Sequence, residues 1–198
     1  MADFVHLTNK TEYSLSEGAL PIARIAELCQ SFSMPAVGIS DNNNMFGALE
    51  FSEQIAKVGV QPILGCNIKI KTPKEYLHEN IEDNDLYFYL NIFSKNNEGY
   101  ENLLKCVSNA YTLNKGNACV TVDDLIKLKE GLIILSGGNN SILTHSTRHM
   151  ITKQSPQFIS DFKKEFNDNF YIEIQRFGSV DYRLNEEAVL NLAYDHQI

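Results

Sequence analysis

The stretch Met34-Pro-Ala-Val-Gly-Ile-Ser-Asp-Asn-Asn-Asn-Met-Phe-Gly47 decides how this chain is organised. Its apolar run from Ala36 to Ile39 predicts a buried strand, and helical periodicity resumes at Met45. Between them stand Asp41 and three asparagines, residue types that tolerate left-handed backbone and hydrogen-bond their own main chain. The pattern predicts a tight turn from a strand into a helix. In α/β proteins such turns lie at the carboxyl ends of strands, where binding and catalytic groups collect.

The segments on both sides of this turn continue the alternation of strands and helices. Apolar residues at helical spacing predict helices around Ile25, Phe51, Leu103 and Phe162, and a last helix over residues 184–194. Strand, helix and strand with short connections form a βαβ unit, which implies parallel strands. Thr72 to Asp85 is predicted to be a surface loop, and Asn97 and Thr121 are predicted helix caps. The remaining predicted strands are Phe4–Leu7, Pro62–Ile70, Leu86–Phe93, Gly131–Ser136 and Phe170–Gln175.

The composition indicates one globular domain. The chain has 198 residues, of which 43% are hydrophobic, enough for one substantial core. Its net charge of −8, from 17 Lys+Arg and 25 Asp+Glu, argues against a large phosphate-binding surface. No apolar run approaches the length of a membrane span, and no basic-then-apolar leader is present, so a cytoplasmic protein is expected.

The four cysteines are expected to be reduced and buried. They show no CxxC spacing and fall mostly in apolar segments, which favours buried thiols over disulfides or a zinc site. They are Cys29, Cys66, Cys106 and Cys119.

Six stretches of the chain share a family resemblance. They are His6–Gly18, Asp41–Phe51, Pro62–Cys66, Lys95–Leu104, Gly131–Gly137 and Phe170–Gly178. Together, and in this order, they resemble the PHP (polymerase and histidinol phosphatase) domain of the bacterial DNA polymerase III alpha subunit. The similarity covers nearly the whole chain, so residues 1–198 are interpreted as one PHP domain.

The resemblance implies an α/β fold, a distorted (β/α)7 TIM-like barrel with its site at the carboxyl ends of the strands. In active family members that site binds a metal cluster and hydrolyses phosphate esters, in some polymerases as a proofreading nuclease. There, imidazoles and carboxylates hold metals that activate a water molecule and stabilise the developing phosphate charge.

Transferred position by position, the resemblance implies that most metal ligands are replaced in this chain. The family has, in order, two histidines, an aspartate, an Asp-His pair, a glutamate, a histidine and a cysteine at these positions. Here they are Thr8, Lys10, Glu17, Asp41, Asn42, Asn67, Tyr89 and Gly138. A final aspartate and histidine of the family would lie beyond Ile198.

This replacement predicts a metal-free and catalytically inactive domain without cofactors. Of the ligand set only Asp41 survives, with Glu17 as a conservative change, and two carboxylates do not replace a shell of imidazoles. Lys10 adds a positive charge where a cation would bind. Its ammonium is expected to pair with Asp41 or with Glu17 in place of the metal.

The chain stops just after a helix, where the alternation would continue with a strand. This predicts a domain that lacks its C-terminal end, a fragment of a much longer polymerase chain. The alternative is an independent PHP-like protein that ends at Ile198.

The resemblance implies that the full protein is a DNA-directed DNA polymerase, a nucleotidyltransferase of chromosome replication. The domain itself is then a structural and partner-binding module. Its implied partners are the proofreading exonuclease subunit and other subunits of the holoenzyme, with DNA bound mainly by the rest of the polymerase chain. The alternative function is a residual metal-dependent phosphoesterase or 3'-5' proofreading exonuclease built on Asp41 and Glu17.

Three other candidates have simpler structural interpretations. Glu173 is either a site residue or a buried, paired acid, and the second is favoured. His145 and His149, four residues apart, match a metal pair, but such short matches are usually exposed histidines. Gly137 and Gly138 could hold a phosphate, although two glycines without a lysine are weak evidence.

Overall fold

A computed structural model describes residues 4–77, 86–113, 116–138, 141–143, 154–176 and 180–198 of the chain. The described part is a mixed α/β fold built on one five-stranded sheet, in the order β1-β2-β3-β4-β5. The strands are β1 Ala36–Asn42, β2 Gln61–Lys71, β3 Tyr87–Ser94, β4 Leu132–Leu135 and β5 Phe170–Tyr171. The helices are α1 Ile22–Ser31, α2 Ala48–Lys57, α3 Asn97–Thr112, α4 Val122–Lys127, α5 Gln154–Phe166 and α6 Val180–His196.

Four strands run in one direction and β3 runs in the other. β1 pairs with β2 in parallel, as the strand–helix–strand pattern predicts, and β4 pairs with β5 in parallel. β3 lies antiparallel between β2 and β4. The sequence from Thr72 to Asp85 has no helical periodicity, so it does not predict the crossover helix that a parallel β2–β3 pair requires.

Most predicted elements are present, with three local differences. The segment Phe4–Leu7 is not a regular strand, although the His6 carbonyl accepts from the Gly38 N–H of β1 at 2.7 Å. The predicted final strand is shortened to Phe170–Tyr171. The cap of α3 is Asn96, whose side chain accepts from the Gly99 N–H, and not Asn97.

The sheet has one apolar face and one polar face. Helices cover the apolar face in two clusters, one of which joins α1 and α2 to Val37 and Ile39 of β1. The larger cluster packs α3 and α5 against alternate residues of β2 and β3, such as Ile68 and Leu90. All four cysteines are buried free thiols, which confirms that prediction. No helix in the described ranges is long and apolar enough to cross a lipid bilayer.

Candidate functional site

The candidate site is the edge of the sheet where the carboxyl ends of β1, β2, β4 and β5 meet the amino end of β3. Because side chains alternate along a strand, Ser40 and Asn42 lie on the polar face of the sheet. Asp41 lies on the opposite face, in register with the buried Cys66 of β2. Asp41 and Asn42 therefore lie on opposite faces of the sheet.

Asp41 is buried and satisfied by the preceding loop. Its side chain is 1% exposed. Oδ1 accepts from the Thr11 N–H at 2.7 Å and from the Ser14 hydroxyl at 2.5 Å, and Oδ2 accepts from the Thr11 hydroxyl at 2.7 Å. The Ser14 oxygen in turn accepts from the Asn42 N–H at 3.1 Å. The carboxylate thus attaches the loop of residues 11–18 to the end of β1.

The side chains of Asn43 and Asn44 form hydrogen bonds with backbone groups at the turn. Asn43 has φ 49°, the left-handed conformation expected of an Asx turn. Its Oδ1 accepts from the Lys69 N–H at 2.8 Å, which ties the turn to β2. The Asn44 amide donates to the carbonyls of Asn42, at 2.9 Å, and Tyr13, at 3.1 Å. These asparagines therefore build the turn.

On the polar side, Lys10 pairs with Glu17. The Lys10 Nζ lies 2.5 Å from Glu17 Oε2. This ammonium is the main cause of a lowered pKa at Glu17, and the Asn42 side chain is the second cause. Lys10, Glu17 and Asn42 therefore form one group. Asn42 Oδ1 is buried, and no hydrogen-bond donor for it is found within the described ranges.

A second group of polar side chains is centred on Asn91. The Asn91 Oδ1 accepts from the Ser40 hydroxyl and from the Asn67 amide, both at 2.7 Å. The Asn91 amide donates to Glu173 Oε2 at 2.7 Å, and the Gln175 amide donates to Glu173 Oε1 at 2.6 Å. Glu173 is therefore a paired acid, as the favoured interpretation of its sequence context has it, but it is half-buried and lies within the candidate site.

The other predicted positions border these two groups. Tyr89 lies two residues before Asn91 on β3 and therefore on the same face of the sheet. Burial raises the pKa of its hydroxyl, and the Glu17 carboxylate raises it further. Gly138 is buried with φ 57°, and a Cβ atom there would lie 2.2 Å from Gln175 Cδ. Thr8 is half-buried in the extended segment that leads to Lys10. His145 and His149 lie outside the described residues.

Ser40, Asn91 and Gln175 were not predicted from the sequence. Side-chain alternation along the strands could have indicated two of them, because Ser40 lies on the same face as the predicted Asn42, and Asn91 on the same face as the predicted Tyr89. Gln175 follows Glu173 at the same spacing. What the sequence did not indicate is that these amides bond to each other.

The residues present do not fit the metal cluster that the resemblance implies. The part of the chain that the structure describes has no group of three or more His, Cys, Asp or Glu side chains able to hold a metal ion. Asn67, at the glutamate position, already donates to Asn91. Lys10, which stands at the position of the family's second histidine, forms an ion pair with Glu17. A cationic side chain and mutually bonded amides are poor partners for a transition metal.

Most of the chain matches the model of a known protein family. A model of the PHP domain matches residues 6–177 of this chain. The chain belongs to the PHP domain family. The resemblance that the sequence motifs indicated is thereby confirmed.

The relatives of this PHP domain include DNA polymerase subunits. It is 33% identical to DNA polymerase III subunit alpha of Rickettsia felis and 34% identical to that of Caulobacter vibrioides. The alignments cover 96% and 98% of this chain but 15% and 17% of those proteins. The corresponding subunit of Borreliella burgdorferi is 30% identical, with 94% of this chain and 16% of the relative covered. This chain thus spans about one sixth of the length of these relatives.

Solved structures confirm the fold class of this PHP domain. An amidohydrolase from Chromobacterium violaceum, solved with sulfate and no metal, has a TM-score of 0.61 at 12% identity, covering 98% of this chain and 84% of its own. A protein of Bifidobacterium adolescentis, named as a proposed metal-dependent phosphoesterase, has a TM-score of 0.59 at 14% identity, covering 100% and 85%. At such low identities the likeness concerns the fold alone, which is the distorted TIM-like type that the motifs implied.

Proposed function

We propose that this chain is the N-terminal PHP domain of a DNA polymerase III alpha subunit and that the domain acts without metal or catalysis. In this proposal the full-length protein is a DNA-directed DNA polymerase of chromosome replication. Nucleotidyl transfer and most DNA binding belong to the rest of that chain. The domain supports the polymerase and binds partner subunits in the cytoplasm.

The observation that supports this function best is the Lys10–Glu17 ion pair. A divalent metal at this edge needs ligands with lone pairs and negative charge. Lys10 instead brings a fixed positive charge to Glu17, the carboxylate at the family's aspartate position, with Nζ 2.5 Å from Oε2. A metal would have to displace the ammonium and would then be repelled by it.

The amide group around Asn91 supports the same function. Asn67 and Gln175 donate to Asn91 and Glu173, so the second carboxylate at this edge is also occupied. Hydrogen-bonded amides hold the strands together without metal. The polar face of the sheet therefore has a structural use that does not require hydrolysis.

Metal analysis of the purified chain tests this proposal. We expect no stoichiometric zinc or manganese, and a melting temperature that responds to neither zinc nor chelator, because a ligand stabilises only a fold that binds it. The chain should release no nucleotide from single-stranded DNA. The double change Lys10→His with Asn42→His should not restore hydrolysis, since four further ligand positions remain Thr8, Asn67, Tyr89 and Gly138.

The alternative, a residual phosphoesterase or 3'-5' exonuclease, predicts the opposite results. About one metal per chain, together with hydrolysis that Glu17→Gln abolishes, would overturn the metal-free function.

The partner role is tested separately. In this proposal the candidate partner is a separate proofreading exonuclease subunit, because a polymerase whose PHP site is inactive requires editing by another chain. Gel filtration of the domain mixed with that subunit should give a complex. Absence of a complex with the domain and also with the full-length polymerase would remove this role.

A further inference from the structure

Three large apolar side chains are exposed on two adjoining segments, the loop before α1 and the turn into α2. Leu15 is 86% exposed, Phe46 is 76% exposed and Leu49 is 72% exposed. Single exposed apolar residues are ordinary, whereas a group of them commonly marks an interaction surface. We call this group the Leu15–Phe46–Leu49 patch.

The two segments that form the patch are fixed to each other. The Asn44 amide donates to the Tyr13 carbonyl at 3.1 Å, and the Tyr13 hydroxyl donates to Glu50 Oε2 at 3.0 Å. Gly47 lies against the Tyr13 ring, where an added Cβ would be 2.8 Å from Cδ2. Leu15 follows two residues after Tyr13. The patch is therefore presented by an ordered support, which lowers the entropy lost when a partner binds.

The charges around the patch are negative. Residues 11–18 and 45–53 contain four glutamates and no lysine or arginine, the glutamates being Glu12, Glu17, Glu50 and Glu53. The nearby Lys10 is paired with Glu17 and offsets one of these four negative charges, so Glu12, Glu50 and Glu53 make the surroundings of the patch negative. The pKa of the Tyr13 hydroxyl is raised first by its hydrogen bond to Glu50 and further by the charges of Glu50, Glu12 and Asp41.

Exposed apolar side chains beside negative charges indicate which class of partner can bind the patch. A nucleic acid or an anionic membrane presents phosphates, which the glutamates repel. A protein segment with apolar side chains beside lysine or arginine complements both features of the patch.

We propose that the Leu15–Phe46–Leu49 patch is a docking surface for a basic amphipathic segment of a separate protein. This inference rests on the proposed partner-binding function and names the surface that performs it. The apolar side chains of the segment cover the patch, and its cations face Glu12 and Glu53, both of which are exposed.

The probe for this surface is a synthetic Leu/Lys amphipathic helix of about 18 residues, or five turns, that contains one tryptophan. The chain itself has no tryptophan, so the peptide fluorescence reports binding without background. We expect saturable binding that weakens as salt is added. Phe46→Ser and Leu15→Ser should each weaken binding about tenfold.

Matched controls distinguish binding at this surface from nonspecific binding. Phe32 is 68% exposed but precedes the amino end of β1, at the opposite edge of the sheet, so Phe32→Ser should leave binding unchanged. A Leu/Glu peptide and a scrambled Leu/Lys peptide should not bind. Equal binding of the scrambled peptide, or equal loss with Phe32→Ser, would overturn the proposal.

Two further outcomes also decide the matter. Dimerisation of the chain alone, abolished by Phe46→Ser in sedimentation, would overturn the proposal because the patch would then be covered by a second copy. If the exonuclease subunit still binds Phe46→Ser and Leu15→Ser with unchanged affinity, this surface is wrong while the partner-binding function stands.

Discussion

The backbone N–H and the hydroxyl of Thr11 both donate to the carboxylate of Asp41, the first to Oδ1 and the second to Oδ2, each at 2.7 Å. The Ser14 hydroxyl adds a third bond to Oδ1. All three donors come from the loop that precedes α1. The one acid that keeps the family's residue type at its position therefore holds that loop to β1, and its oxygens point away from the polar face.

Removal of this carboxylate should destabilise the fold. Asp41→Ala leaves three donors at a 1% exposed position without an acceptor. We expect the free energy of unfolding in urea to fall by roughly 3–5 kcal/mol. Asp123→Ala, at an exposed position of α4, is the control and should change it by less than about 0.5 kcal/mol. Equal effects at both positions would show that the Thr11 and Ser14 bonds contribute no net stability.

A methyl group added at Gly137 should clash with the backbone of Tyr89 and destabilise the fold. Gly137 has φ 91°, and a Cβ there would lie 1.8 Å from the Tyr89 carbonyl oxygen. Gly59 has φ 76° with open space around it, so Gly59→Ala should cost only the backbone strain of about 1–2 kcal/mol. Gly137→Ala should cost about 1–3 kcal/mol more, because its Cβ also forces β3 to move. Thermal unfolding of the two variants measures the difference, and equal melting temperatures would contradict this contact.

The cap of α3 offers a comparison of adjacent residues. The Asn96 side chain accepts from the Gly99 N–H at 2.8 Å, whereas Asn97 is the first residue of the helix. Asn96→Ala should lower stability by about 1 kcal/mol. Asn97→Ala should change it by less than about 0.5 kcal/mol. If Asn97→Ala is the more destabilising of the two in urea, the helix cap is Asn97, as predicted from the sequence, and not Asn96.

The Lys10–Glu17 pair should be visible in acid titrations. The pKa of Glu17 is lowered from 4.5, mainly by Lys10 and next by Asn42. A lowered folded pKa means that this pair stabilises the fold above the unfolded pKa, and that the contribution disappears as pH falls through the folded value. NMR titration of the carboxylate should show a larger rise in pKa for Lys10→Met than for Asn42→Ala. A larger rise with Asn42→Ala would mean that the amide, and not the ammonium, holds the charge of Glu17.

The same substitution should alter the pH dependence of stability. In Lys10→Met the loss of stability that accompanies protonation of Glu17 should be smaller, because the folded and unfolded pKa values then lie closer together. The effect is modest, since the Glu17 side chain is 53% exposed and water screens the pair. Urea unfolding of both proteins across the acid range measures it.

The sequence by itself determined the features that depend on neighbours along the chain. The spacing of Ile22, Ile25 and Cys29 was enough to predict α1, because one face of a helix is defined within two turns. The asparagines after Asp41 predicted the turn, since their side chains bond to nearby backbone. Ordered motifs identified the family, because each motif lies in one short segment of the sequence. The eight positions of the family's metal site remain what the resemblance implies.

Only the tertiary structure decided which of those positions act together. The face of β1 on which Asp41 lies, and the choice of Glu17 as the partner of Lys10, depend on how the loop of residues 11–18 packs against the strand. The Asn91 group joins residues that are 51, 24 and 82 positions apart in the chain, across strands whose directions the periodicity did not reveal. Hydrogen bonds between distant residues follow from strand order and register, and a local pattern contains neither.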